Sequence, residues 1–286
     1  MHGRSLKSQN KINCSVLRPS FSPLRTTALC MTTKLSVWRL WHMSDLKNRV
    51  ALVTGGSRGI GEAIAIALAK AGAAVAVNYR ERSQEAAAVV ENIQRNGGRA
   101  AAIAADVSLA GAVRSMISDV ESRLGPIDIL VNNAGIAVTR GLDEITEEDF
   151  DRTVAVNLKS AFLCTQGVVA GMRERRWGRI VNISSIAARG AGSISVAYNA
   201  SKAGLEGLTR GYASRLAPEG VTVNAVAPGL IDTEMGKPLI EAGVVARIPV
   251  GRSGTGEEIA QAVMLLVRDG FITGQTLAVN GGGLFS

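Results

Sequence analysis

From Met43 to the C-terminus the chain contains no histidine and a single cysteine, Cys164. That absence excludes a Ser-His-Asp triad, a Cys-His pair and a zinc site built on imidazoles or thiolates, so no metal is expected. Cys14 and Cys30 lie in the N-terminal segment. One remaining cysteine gives no disulfide framework and points to a reducing compartment. Aromatic residues make up only 4% of the sequence. Small and aliphatic side chains dominate instead, which suits a sheet packed against helices better than a β-sandwich. No apolar run approaches the roughly 20 residues of a membrane span. Acids are missing altogether from residues 1–44, which hold seven Lys and Arg and account for nearly all of the formal charge of +8. The rest is close to neutral, which argues against a nucleic-acid partner.

Residues 1–42 are basic, acid-free and rich in Ser and Thr. They read either as an organelle transit peptide, implying a mitochondrion or plastid, or as an extension outside the mature fold of a cytoplasmic protein that starts at Met43. Residues 43–286 are expected to form one domain. Apolar strands at 49–54, 73–79, 99–107, 127–135, 178–185, 221–228 and 275–280 alternate with helices at 60–71, 83–96, 109–124, 147–173, 195–216 and 257–267. Continuous apolar strands between helices indicate a parallel sheet buried on both faces. The expected fold class is therefore α/β, a single doubly wound Rossmann domain whose seven-stranded, mostly parallel sheet is flanked by helices.

Between the first strand and helix lies TGGSRGIG, Thr54–Gly61. Gly55, Gly59 and Gly61 allow a tight turn and a close backbone approach to a pyrophosphate. With Ser57, Arg58 and Ile60 they form a cradle at a helix N-terminus, where negative charge is favoured. A site for NAD usually places an acid at the end of the second strand. Here that strand ends Asn78-Tyr79-Arg80, with no acid before Glu81. Arg58 and Arg80 favour a 2′-phosphate, because guanidinium forks match phosphate oxygens, and the cofactor is read as NADP(H). The alternative is that Arg80 and Arg82 form a solvated face.

With histidine absent, proton transfer falls to tyrosine, lysine or a carboxylate. Only Tyr79, Tyr198 and Tyr212 are available. Tyr198 and Lys202 stand four residues apart, one turn along a helix face, with Ser185 thirteen residues upstream. A free tyrosine, with a pKa of about 10, is a poor acid-base group near neutrality. The ammonium of Lys202, with the charge of oxidised nicotinamide, is expected to lower it.

These motifs resemble the short-chain dehydrogenase/reductase family, and within it the 3-oxoacyl-[acyl-carrier-protein] reductases. TGGSRGIG, Asp106-Val107, NNAG at Asn132–Gly135, Asn157, Ser185, Tyr198, Lys202 and Pro228-Gly229 appear in the family's order between about Asp45 and Gly282. The resemblance implies a catalytic tetrad of Asn157, Ser185, Tyr198 and Lys202. Tyr198 would be the general acid for reduction. Lys202 would tune it and hold the nicotinamide ribose, Ser185 would donate to the substrate oxygen, and Asn157 would bind a water leading to Lys202. Asp106 would meet the adenine amine with Val107 beside it, although Asp106 also reads as the cap of the next turn. Asn133 would lie near the adenine ribose, and Ile231 and Thr233 would meet the nicotinamide carboxamide.

The segment after Thr233 is expected to cover the substrate, and its shortness suits a small or extended molecule. Carrier-dependent members dock an acidic acyl-carrier protein on two basic positions. Arg176 fills one of these, while Glu219 stands at the other. The reaction implied is NADPH-dependent reduction of a ketone, foremost a 3-oxoacyl thioester. A sugar, polyol or other small ketone is the alternative, and a non-catalytic nucleotide sensor a more distant one. The family also implies a homotetramer joined through the helices at 147–173 and 195–216.

Overall fold

The computed structural model describes residues 46–285 apart from Ala191 and Ser193, so the expectations for residues 1–42 lie outside the described residues. Seven strands, β1 (Val50–Val53), β2 (Ala74–Tyr79), β3 (Ala100–Ala104), β4 (Ile129–Asn132), β5 (Gly178–Ile183), β6 (Val221–Pro228) and β7 (Thr276–Val279), form one sheet in the order β3-β2-β1-β4-β5-β6-β7. Every ladder is parallel. Helices α1 (Gly59–Lys70), α2 (Ser83–Arg95), α3 (Ala110–Leu124), α4 (Glu147–Val154), α5 (Ser160–Glu174), α6 (Val196–Leu216), α7 (Lys237–Glu241) and α8 (Gly256–Arg268) make the connections.

The apolar strands feed two layers. Ala51 and Val53 of β1 join Ile64 of α1, Val89 of α2 and Ile259 of α8 on one side. Val50 and Leu52 join Val113 of α3, Cys164 of α5 and Ala213 of α6 on the other. Period-two alternation within one buried strand thus serves both faces. Each fully buried side chain such as Leu52 or Ile129 contributes roughly 1.5–3 kcal/mol by leaving water.

Strand order reverses between β1 and β4, and at such a switch point the carboxyl ends of the strands open a crevice. The turn after β1 and the turn after β4 lie side by side there. Thr54 N–H donates to Val131 O (3.0 Å), while Thr54 Oγ1 accepts from the backbone of Asn133 (3.0 Å) and Ala134 (3.1 Å). Three strands are shorter than their apolar runs suggest. β3, β4 and β5 stop at Ala104, Asn132 and Ile183. The residues beyond leave the ladder to build turns.

The single helix expected over 147–173 is interrupted. Ala155–Lys159 form a π turn between α4 and α5, and Asn157 sits in its middle. By length and composition the stretch Glu147–Glu174 could cross a membrane. Ala161, Cys164, Val168 and Met172 are nevertheless buried inside the protein.

Candidate active site

Ser195 begins α6 as its N-cap, its Oγ accepting from Tyr198 N–H (3.3 Å). That cap fixes the first turn of α6, from which Tyr198 and Lys202 both point inward. They are 6% and 4% exposed. Lys202 Nζ lies 5.7 Å from the centroid of the Tyr198 ring and donates to Ile183 O at the end of β5 (2.8 Å). Ser185 follows two residues later as the N-cap of a short 3₁₀ turn, its Oγ accepting from Ala187 N–H (3.1 Å). Its side chain also works to lower the pKa of Tyr198.

Asn157 closes the group from the π turn. Its Oδ1 accepts from Ile136 N–H (2.8 Å), and its Nδ2 donates to Ile136 O (3.0 Å) and to Ser201 Oγ (3.2 Å). Both amide hydrogens and one lone pair are thereby used. A water on this side chain can take only the remaining Oδ1 lone pair. A side chain at Gly135 would begin 3.4 Å from Asn157 Oδ1 and 3.6 Å from Lys202 Nζ, so the NNAG turn borders both groups. The four residues of the expected tetrad therefore converge.

Burial dominates their electrostatics. Burial pushes the Tyr198 hydroxyl above its ordinary pKa, and Ser185 only partly opposes this. Burial also lowers Lys202 to about 8. Desolvation therefore favours the neutral form of both groups.

The glycine turn is built for close approach. Gly55 has φ +61°, and a Cβ there would sit 3.0 Å from Ala134 Cα; a Cβ at Gly61 would run into the Gly55 carbonyl oxygen. Asn133 Nδ2 pins the turn from the β4 side by donating to Thr54 O (3.0 Å) and Gly55 O (2.9 Å). Arg58 stands at the N-cap of α1 and makes no side-chain cap bond, leaving the first-turn N–H groups to an anion. Ser57 is buried and Ile60 half-buried beside it. This donor set fits a pyrophosphate.

Asp106 makes the turn cap that was its alternative reading, accepting through Oδ1 from Ser108 N–H (2.9 Å) and Ser108 Oγ (2.6 Å). Burial works to raise this carboxyl, but the Ser108 bonds, then Arg80 and Arg152, hold it below the usual range. Val107 packs into the core, so only its backbone can face a ligand. Ile231 is also buried, while Thr233 Oγ1 donates to Ile231 O (3.4 Å) and accepts from Gly236 N–H (3.2 Å).

Arg80 pairs with its neighbour Glu81 (2.6 Å). Arg58 and Arg82 instead converge on Glu234, from the segment after β6. Sequence reasoning missed this carboxylate because it lies 152 residues from Arg82. It also missed Glu206, one turn beyond Lys202 and 4% exposed. Glu206 accepts from Arg189 Nε (2.9 Å) and Ser184 Oγ (3.4 Å) directly behind the site. An acid at i+4 from the lysine was the available signal.

A family model for short chain dehydrogenases matches residues 49–243. The chain belongs to the short-chain dehydrogenase family. A 3-oxoacyl-[acyl-carrier-protein] reductase of Synechocystis sp. is 44% identical over 84% of this chain and 98% of its own. An acetoacetyl-CoA reductase of Rhizobium meliloti is also 44% identical, over 84% of this chain and all of its own length. Among solved structures, one from Agrobacterium tumefaciens, provisionally assigned as a gluconate dehydrogenase, superposes with a TM-score of 0.80. It is 35% identical and covers 84% of this chain and 97% of that one. The chain is accordingly an oxidoreductase of the short-chain dehydrogenase family that interconverts CH–OH and C=O groups.

Proposed function

We propose that the protein reduces a 3-oxoacyl thioester to the 3-hydroxyacyl thioester with NADPH. The observation that carries this reading is the buried Tyr198 beside Ser185, with the buried Lys202 one turn along α6. When bound, the nicotinamide supplies a hydride to the carbonyl carbon. Ser185 and Tyr198 hold the carbonyl oxygen, where negative charge develops in the transition state. Tyr198 gives its proton to that oxygen and is left as phenolate. Lys202 Nζ lies 5.7 Å from the centroid of that ring. In the opposite direction Tyr198 would act as the base.

Arg58 and Arg82, with Arg80 beside them, support a 2′-phosphate and hence NADP(H). Gly55–Gly61 would hold the pyrophosphate, Asp106 and Val107 the adenine end, and Ile231 and Thr233 the carboxamide. Asn133 contributes by fixing the glycine turn.

Thioester chemistry is carried over from the 3-oxoacyl and acetoacetyl-CoA reductases at 44% identity. Carrier docking is weakened by two contacts. Arg176 donates to Pro218 O (2.9 Å), and Glu219 is paired with Arg173 (2.5 Å). The expected second basic position is thus an acid with its own partner. We infer that a CoA thioester serves at least as well as a carrier-linked one. The Agrobacterium likeness supports a second reading, a sugar acid or polyol. Exposed Phe150 and Phe162, on α4 and α5, suit the helix-mediated tetramer.

A screen of acetoacetyl-CoA, a carrier-linked 3-oxoacyl substrate and a panel of keto sugar acids and small ketones, each with NADPH and NADH, tests the assignment. Turnover of acetoacetyl-CoA with NADPH is expected. No turnover of either thioester, with activity on a sugar acid, would replace the first reading by the second.

A further inference from the structure

The segment after β6 returns across the glycine turn. Thr233 Cγ2 lies 3.2 Å from where a Gly59 side chain would begin, which brings Glu234 beside the N-terminus of α1. There its carboxylate pairs with Arg58 from the N-cap of α1 and with Arg82 Nη2 (3.2 Å) from the start of α2. Arg82 is held from its other side by Glu85 (3.1 Å). Burial and then the charge of Arg82 hold the Arg58 guanidinium below its ordinary pKa, as expected for two cations brought together. Two guanidiniums from separate elements, converging on one anion, make a site whose chemistry suits a phosphate monoester better than a single carboxylate. All three side chains are about half exposed, so the pairs are exchangeable.

We propose that Glu234 is a specificity-determining residue, an internal anion that a 2′-phosphate must displace from Arg58 and Arg82. This rests on the NADP(H) reading above. A cofactor with a bare 2′-hydroxyl leaves the pairs in place and is indifferent to Glu234. The 2′-phosphate competes with Glu234, which therefore narrows the preference for NADPH over NADH. Because Glu234 is adjacent to Thr233 in the substrate-covering segment, its displacement also carries phosphate binding into that segment.

The test is equilibrium binding to the full chain, which needs no turnover. NADPH and NADH are titrated by fluorescence, and 2′,5′-ADP and 5′-AMP by calorimetry, against the parent, Glu234→Gln, and Arg82→Gln. Glu234→Gln is expected to tighten NADPH and 2′,5′-ADP about tenfold, the worth of roughly two exposed ion pairs. NADH and 5′-AMP should stay within about twofold, the resolution of such titrations. Arg82→Gln should weaken only the two ligands that carry a 2′-phosphate. Unchanged affinities in Glu234→Gln, with the parent still preferring NADPH and Arg82→Gln still weaker, would overturn the role of Glu234 alone. A parent that binds NADH and 5′-AMP more tightly, with Arg82→Gln neutral, would instead overturn the NADP(H) reading and the proposal with it.

Discussion

Tyr198, Lys202 and Asn157 are each less than a tenth exposed, whereas the side chains of Arg58, Arg82 and Glu234 are about half exposed. The first group is held mainly by bonds to backbone or to short hydroxyls: Lys202 to Ile183 O, Asn157 to both polar atoms of Ile136 and to Ser201. The second is held by ion pairs between long side chains. Hydrogen bonds in a dry site fix geometry because breaking one strands a buried polar group. Ion pairs in water are weak, screened and replaceable. One end of the crevice is therefore built to place atoms, and the other to exchange one anion for another.

The largest effect should come from removing the buried hydroxyl. Tyr198→Phe keeps the ring and its packing, so folding and NADPH affinity should be preserved. Turnover should fall about a thousandfold, within the usual range for a lost general acid. Steady-state kinetics with a parallel binding titration check this, and parent-like turnover would remove Tyr198 from the chemistry.

A second test separates function from stability at Lys202. Its pKa is about 8 in the fold against an ordinary value of 10.5. The unfolded chain therefore binds the extra proton between those values, and stability rises with pH across that window. Below about pH 8 the burial penalty is fully present, worth about 3 kcal/mol. Losing the bond to Ile183 O costs about 1–3 kcal/mol in return. Lys202→Met should accordingly lose most activity yet be at least as stable as the parent at pH 7, with the difference shrinking towards pH 10. Denaturant unfolding at both pH values measures it, and a large loss of stability at pH 7 would contradict the balance drawn here.

The smallest effect concerns the exposed end. Raising salt from about 0.05 to 0.5 M shortens the screening length severalfold. KM for NADPH should rise about threefold to tenfold while kcat stays nearly constant, because the buried end is screened little. An equal fall in kcat would mean that the two ends do not differ as described.

Much of this contrast was legible in the sequence, and the illegible part has physical reasons. Seven apolar runs announced seven strands because burial on both faces requires them. Tyr198 and Lys202 stood out because four residues make one helical turn. Glu234 was invisible because an ion pair depends on how the chain returns, not on local spacing. The burial that raises the pKa of Tyr198 and lowers that of Lys202 depends on packing around α6 and not on the four-residue spacing. Glu219 could be read as a departure at once, but its partner Arg173 needed the fold.

The π turn at Ala155–Lys159 has a consequence for how the chain can vary. A residue advances an α-helix by about 100°. Winding the same residues as a plain α-helix would swing α5 about a quarter turn relative to α4, because a π turn takes up about one more residue per turn. Cys164 and Met172 would leave the core as Asn157 lost its hold on Ile136. The turn works as a phase shifter between two helices that must each face inward at a different angle.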